Sequence, residues 1–135
     1  MVTAGPTREP IDPVRYLSNH SSGKQGYAIA SALAKKGANV TLISGPVNIS
    51  PPVNVTLKQI ETAEEMLSAC KQALPCEIFI AVAAVADWRP NMRAGQKIKK
   101  DKAGPQPLAL SENPDILATI AVSYTHLTLP TTPYV

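Results

Sequence analysis

The spacing of hydrophobic positions changes several times along the 135 residues, and each change marks an element. Met1 and Val2 read as the apolar end of a strand. Between Lys24 and Lys36, Ala28, Ile29, Ala32 and Leu33 fall at helical spacing and form one apolar stripe. Ser21 or Ser22 is placed to cap this helix, Lys35 and Lys36 suit the negative end of its dipole, and Gly37 closes it. Asn39 to Ser44 is a strand that stops at Gly45-Pro46, and Val53 to Ile60 is a second strand after Pro51-Pro52. Thr62 to Leu74 is a helix with Thr62 and Glu65 as a capping box, a face of Met66, Leu67, Cys70 and Leu74, and Pro75 as its stop. Glu77 to Val82, EIFIAV, has the continuous apolar character of a strand buried on both faces. Beyond it, Leu108 to Leu110 is a short strand, and Asn113 caps a helix through Ala121 with Pro114 at its first position.

Strand, loop, helix, strand, strand, helix, strand is the order of an α/β protein, predicting a Rossmann-like parallel sheet with helices on both faces. Ligands of such sheets sit beyond the carboxyl ends of the strands. That edge carries Gly45-Pro46, the segment Ala83 to Arg89, and the long connection Gly5 to Gly26, GPTREPIDPVRYLSNHSSGKQG. A loop of about twenty residues without secondary structure is uncommon in a compact domain and is usually functional or disordered. Pro6, Pro10 and Pro13 each fix φ, which predicts an ordered, functional loop holding polar groups in place.

Several residues there have chemistry to offer. Ser22-Gly23-Lys24 lacks the glycine spacing and the following Ser or Thr of a phosphate loop, and no GxGxxG follows the first strand. Ser21, Ser22, Gly23 and Lys24 nevertheless place backbone N–H groups and a cation at a helix start, a ready anion site. The Asn19 amide could donate to a carbonyl or oxyanion, or serve only its own turn. His20 is a general base or a solvated loop residue. Arg8 and Arg15 could grip phosphate or carboxylate, with Arg15 pairing to Asp12 or Glu9 as the alternative. Asp87 follows AVAAVA at a strand's carboxyl end, where Ala81 to Ala84 would let a ligand approach the backbone. Lys97 and Lys99 share one face of an extended QKIKKDK stretch, which is otherwise an ordinary solvated basic run.

Composition narrows the partners. The balance of 13 Lys and Arg against 10 Asp and Glu gives +3, and aromatics at 4% leave the basic stretches without the stacking residues of a single-strand nucleic-acid surface. A small anion is the better partner; no nucleic acid and no membrane are expected, since no apolar run reaches eighteen residues. Cys70 and Cys76 have neither metal nor CxxC spacing, and Cys70 falls on a buried helical face, so a thiol in a reducing cytoplasm is expected. No His/Cys cluster or paired carboxylates point to a tightly held metal.

Taken together, TAGPTREPIDPVRYLSNHSSGKQG, GANVTLISGP, ETAEEM, AAVADWRP, KIKK and ENPDIL resemble phosphopantothenoylcysteine synthetase, in that family's order and over residues 1 to 121. The resemblance implies a CTP-dependent ligase of coenzyme A biosynthesis. A 4'-phosphopantothenate carboxylate attacks the α-phosphate of CTP (ATP in some eukaryotic relatives), and the acyl-cytidylate then gives an amide with cysteine. By the same resemblance Lys97 serves acyl-cytidylate formation, while Asn19 contacts the intermediate and helps convert it. Arg15 and Ala84 handle the intermediate, and Ala81, Val82, Ala83, Asp87 and Pro114, Asp115, Ile116 and Leu117 bind the nucleotide, with Ala84 beside them. Magnesium is expected only through nucleotide phosphates, and FMN only where a decarboxylase domain is fused in front; a homodimer is implied.

The family's sequences continue past ENPDIL with a Phe-Ala-Ala-Glu stretch, later lysines and dimerisation strands that are not found here. The expectation is therefore a partial ligase domain over 1–121, a sheet incomplete on its C-terminal side, and a non-native tail over 122–135, where YTHLTLPTTPYV has no charge and no period. Two other readings stay open: a non-catalytic nucleotide- or phosphate-binding module, and an inactive fragment of the ligase.

Overall fold

The structure is a computed structural model that describes residues 1–122, so all of the expected tail except Val122 lies outside the described residues. Its elements are β1 (Val2–Ala4), β2 (Arg8–Asp12), β3 (Arg15–Ser18), α1 (Lys24–Lys35), β4 (Val40–Ser44), β5 (Val55–Gln59), α2 (Ala63–Gln72), β6 (Ile80–Ala81), β7 (Trp88–Pro90), β8 (Leu110–Glu112) and α3 (Ile116–Ala121). Four strands form a parallel sheet in the order β5-β4-β1-β6. Strand alternation sends residues to opposite faces. Val2, Ala4, Val40 and Leu42 pack with Tyr27 and Ala30 of α1. Ile43 packs on the other face with Met66, Ala69 and Cys70 of α2 and with Ile116 and Ile120 of α3. Leu42 and Ile43 are wholly buried, and each such burial is worth roughly 1.5–3 kcal/mol. The expected Rossmann-like α/β arrangement, with helices on both faces, is the one observed.

Three local expectations are revised. The connection after β1 is not structureless: β2 and β3 form an antiparallel hairpin with an irregularity between Pro10 and Asp12. Its inward positions are Glu9 and Asp12, which are buried carboxylates, so no apolar alternation announces it. Pro10 is tolerated because the two-stranded sheet has no further strand to receive its missing N–H. In α1 the buried residues are Gly26, Tyr27 and Ala30, while Ala28 and Ala32 are exposed. The small residues Gly26 and Ala4 let the helix lie against β1: a Cβ on Gly26 would stand 2.4 Å from that of Ala4. The third revision concerns β6, which is shorter than the expected Glu77–Val82. Among the described residues it is an edge strand bonded to β1 alone, and Ile78 before it is 59% exposed.

Helix caps shift as well. Gly23, at φ 77, precedes α1 instead of a capping serine. Asp115, not Asn113, caps α3 by accepting from the Ala118 N–H at 3.0 Å. The box on α2 forms as read, with the Glu65 N–H donating to Thr62 Oγ1 at 3.2 Å, but the Glu65 carboxylate accepts from Glu61 N–H.

Candidate active site

Three connections leave the carboxyl edge of the sheet side by side: Gly5-Pro6 after β1, Gly45 to Ile49 after β4, and Val82 to Asp87 after β6. The first and third continue to pair beyond the strands. Val82 N–H donates to Thr3 O at 3.2 Å, Ala84 N–H to Gly5 O at 2.9 Å, and Thr7 N–H to Ala84 O at 3.2 Å. Gly45 closes the other side, where a Cβ would fall 1.6 Å from the Pro6 carbonyl oxygen and no side chain fits. Tyr27 OH donates to Ser44 Oγ at 2.9 Å, and Ser44 in turn to Gly45 O, which fixes α1 against this edge.

A cleft of about 540 Å³ opens here, lined by Arg8, Tyr16, Asn19, His20, Ser21, Ser22, Lys24 and the Pro46–Ile49 connection. The Arg8 guanidinium stacks on Tyr16, 4.7 Å from the ring centroid. The predicted anion group is therefore assembled on a concave surface with two cations, Arg8 and Lys24. Two of its N–H groups are already engaged: Gly23 N–H donates to Ser21 Oγ and Lys24 N–H to Ser22 Oγ, both at 3.3 Å. A ligand would meet the Ser21 and Ser22 hydroxyls and the Lys24 ammonium ahead of those two amides.

Asn19 stands at the base of the hairpin, and its Nδ2 donates to Val85 O at 3.1 Å. The strip it touches is a meeting point. Ala86 N–H donates to Thr7 Oγ1 at 2.9 Å, Asn113 Nδ2 to Ala86 O at 2.7 Å, and Asn113 N–H to Asp87 O at 2.8 Å. Ala81 and Asp87 are exposed, and Val82, Ala83 and Ala84 are half-buried. Pro114 borders a separate hollow of about 600 Å³ with Leu67, Arg89 and Glu112. The four-residue group Pro114 to Leu117 is split: Asp115 is a helix cap, Leu117 is half-buried, and Ile116 is only 6% exposed in the core. The Ile116 side chain therefore holds the fold, leaving Asp115 exposed and Pro114 and Leu117 half-buried.

Lys97 and Arg15 lie at the other end of the hairpin. Four residues of extended chain, about 13 Å, separate Arg15 from Asn19, so Asn19 stands apart from Arg15 and from the backbone beside Lys97. What joins Lys97 to the hairpin is Asp12, a residue the sequence reading considered only as a partner for Arg15. Its side chain is out of solvent and forms the ion pair with Arg15 at 2.8 Å. Oδ1 accepts from Val14 and Arg15 N–H, both at 2.9 Å, which makes the turn. Oδ2 accepts from Arg15 Nε and from Ile98 N–H at 3.0 Å, immediately after Lys97. Hydrogen bonds, the one from Ile98 foremost, outweigh desolvation and hold the Asp12 carboxyl well below the usual carboxylate range. The Asp-Pro pair at a turn was the available signal, but nothing local pointed 86 residues ahead.

Comparison with known proteins fits this frame. The family model described as DNA/pantothenate metabolism flavoprotein C-terminal domain matches residues 1–129. The chain belongs to that family. It is 53% identical over 123 residues to the coenzyme A biosynthesis bifunctional protein CoaBC of Vibrio vulnificus strain YJ016, covering 90% of this chain and 31% of the relative. It is 51% identical over 129 residues to the CoaBC of Escherichia coli K12, covering 93% of this chain and 32% of that one. Among solved structures, the C-terminal domain of a coenzyme A biosynthesis bifunctional protein CoaBC superposes with a TM-score of 0.76 at 43% identity, over 90% of this chain and 56% of the other. A Cab2 variant in complex with phosphopantothenate-cysteine shares the fold, with a TM-score of 0.72 at 18% identity, over 90% of this chain and 58% of the other. The chain spans about a third of the length of the curated relatives it matches. The family resemblance drawn from the motifs and the fold it implied are borne out. Among the described residues no helix is long and apolar enough to cross a membrane.

Proposed function

We propose that this chain forms the carboxyl-edge half-site of a phosphopantothenate–cysteine ligase. The observation that carries the reading is the convergence on residues 84–87: Asn19 and Thr7 from the first motif and Asn113 from the last all bond to this one strip of backbone. The family membership and the coenzyme A names of the relatives support it.

In the first step a carboxylate oxygen of 4'-phosphopantothenate attacks the α-phosphorus of CTP, and pyrophosphate leaves with the electron pair of the broken P–O bond. In the second, the cysteine amine attacks the acyl carbon of the resulting acyl-cytidylate; CMP leaves, the amine loses a proton, and an amide forms. Lys97 supplies a point charge to the phosphates in the first step. Asn19, oriented by Val85 O, presents its amide to the acyl group in the second. The backbone of Ala81 to Ala84 and the Asp87 carboxylate hold the nucleotide, with Pro114 and Asp115 beside them. Arg15 reaches the intermediate from the hairpin tip. Among the described residues no group of three His, Cys, Asp or Glu side chains forms a protein cage for a metal. Magnesium would therefore be held on the nucleotide phosphates, where it neutralises charge. FMN would enter only through a fused decarboxylase domain, and the relatives are bifunctional proteins. A cytoplasmic homodimer completes the reading.

The test uses a chimera in which residues 1–122 replace the matching segment of the Escherichia coli relative. CTP-dependent pyrophosphate release is expected, Lys97→Ala abolishing it and Asn19→Asp sparing part of it while blocking amide formation. CTP binding without any turnover would instead support a non-catalytic module, and near-normal release by Lys97→Ala would remove Lys97 from its role.

A further inference from the structure

The hairpin tip carries an arrangement that the two-step reaction does not by itself require. Residues 94–98 lie across the turn and are tied to it in three places. Ala94 N–H donates to Ile11 O at 3.0 Å, Ile98 N–H to Asp12 Oδ2 at 3.0 Å, and Arg15 Nη2 to Ile98 O. Two of these three bonds pass through one carboxylate or through the guanidinium it holds. Lys97 and Ile98 are otherwise exposed, Ile98 at 49%, so little packing holds the segment. Asp12 itself is 3% exposed, and its two oxygens divide the work. Oδ1 serves the turn, and Oδ2 serves Ile98 and the guanidinium.

We infer that Asp12 is a positioning residue: it anchors the segment that carries Lys97 onto the hairpin and sets Arg15 and Lys97 in fixed relation, so that the lysine meets the nucleotide phosphates from a held backbone. The inference rests on the ligase reading for its kinetic consequence but not for the anchor itself. Fixing one backbone hydrogen bond beside a flexible lysine matters because a displacement of about 1 Å in a charged group can cost about 100-fold in rate. Charge-assisted bonds to a shielded carboxylate are strong enough to hold an otherwise solvated segment.

Asp12→Asn separates the two duties. The asparagine carbonyl can still accept from Val14 and Arg15 N–H, but its amide nitrogen cannot accept from Ile98 or from the guanidinium. Amide exchange measured by NMR on the 135-residue chain reads the anchor directly. Ile98 exchange should quicken at least about tenfold in Asp12→Asn, with Val14 and Arg15 unchanged. In the chimera the same substitution should lower kcat for pyrophosphate release about 100-fold and leave the KM for CTP within about threefold, a split that general loss of structure would not give. Unchanged Ile98 exchange overturns the anchor, and unchanged kcat in a chimera whose parent is active overturns the positioning role. Should the parent chimera release no pyrophosphate, the ligase reading fails and the exchange result alone decides the anchor.

Discussion

Replacing Gly45 by alanine is the sharpest perturbation of the ligand edge. An added Cβ would stand 1.6 Å from Pro6 O and 2.7 Å from the Pro6 carbonyl carbon, both backbone atoms that no rotamer change can move. To regain even 3.0 Å the Pro6 carbonyl must retreat by about 1.4 Å. The bonds that pair the Gly5–Thr7 segment with Ala84, at 2.9 and 3.2 Å, stand directly behind it. Overpacking of this kind costs about 1–3 kcal/mol, and weakening two hydrogen bonds adds about 0.5–1.5 kcal/mol each, so a loss of roughly 2–6 kcal/mol is expected. The assay is urea denaturation of the 135-residue chain, with Gly95→Ala as the control. A Cβ on Gly95 meets nothing within 4 Å, so that variant should stay within about 0.5 kcal/mol of the parent. If Gly45→Ala lost less than about 1 kcal/mol, the edge would be free to open, and the argument that Gly45 and Pro6 fix the cleft would fail.

Two further outcomes follow from the titrating groups. Asp12 has a depressed folded pKa, so its contribution is present above the unfolded carboxylate value of about 4 and disappears as pH falls through the folded one. The urea midpoint should therefore drop more steeply below about pH 4 in the parent than in Asp12→Asn, and parallel curves would contradict the assignment. Burial, and after it the neighbouring Cys76, pushes the Cys70 thiol up to about 11. At about pH 8 a thiol reagent, followed by mass spectrometry, should leave Cys70 unmodified in the native chain and modify it in urea; rapid native labelling would place Cys70 outside the core.

Elements governed by short-range signals were legible in the sequence. The α2 box needs only Thr62 and Glu65; the parallel strand β4 is a Val/Leu/Ile run ended by Gly45-Pro46, and β5 follows the Pro51-Pro52 break. The hairpin was hidden because burial there falls on Glu9 and Asp12, whose desolvation is offset by bonds to distant backbone: Ala63 N–H for Glu9 and Ile98 N–H for Asp12. The α1 face is not legible locally because Ala and Gly give little contrast, and the fit of Gly26 on Ala4 is a tertiary fact. At the site, Asn19, Asp87 and Lys97 were each recognisable by motif. The long-range bonds that place them were not, because those bonds run through Val85 O, Ala86 and Asp12 and join positions 27 to 86 residues apart. Asn before Pro is a strong local signal for a helix cap at Asn113. In the fold Asp115 caps α3, and the Asn113 amide is drawn to Ala86 O instead.

The central claim is that this carboxyl edge activates a carboxylate by cytidylylation. Its most direct test is mass spectrometry of the chimera incubated with CTP, magnesium and 4'-phosphopantothenate but no cysteine. A 4'-phosphopantothenoyl-cytidylate is expected, equimolar with released pyrophosphate, that vanishes when cysteine is added and is absent with Lys97→Ala. Pyrophosphate release without an acyl-cytidylate, or nucleotide binding with neither product, would contradict it.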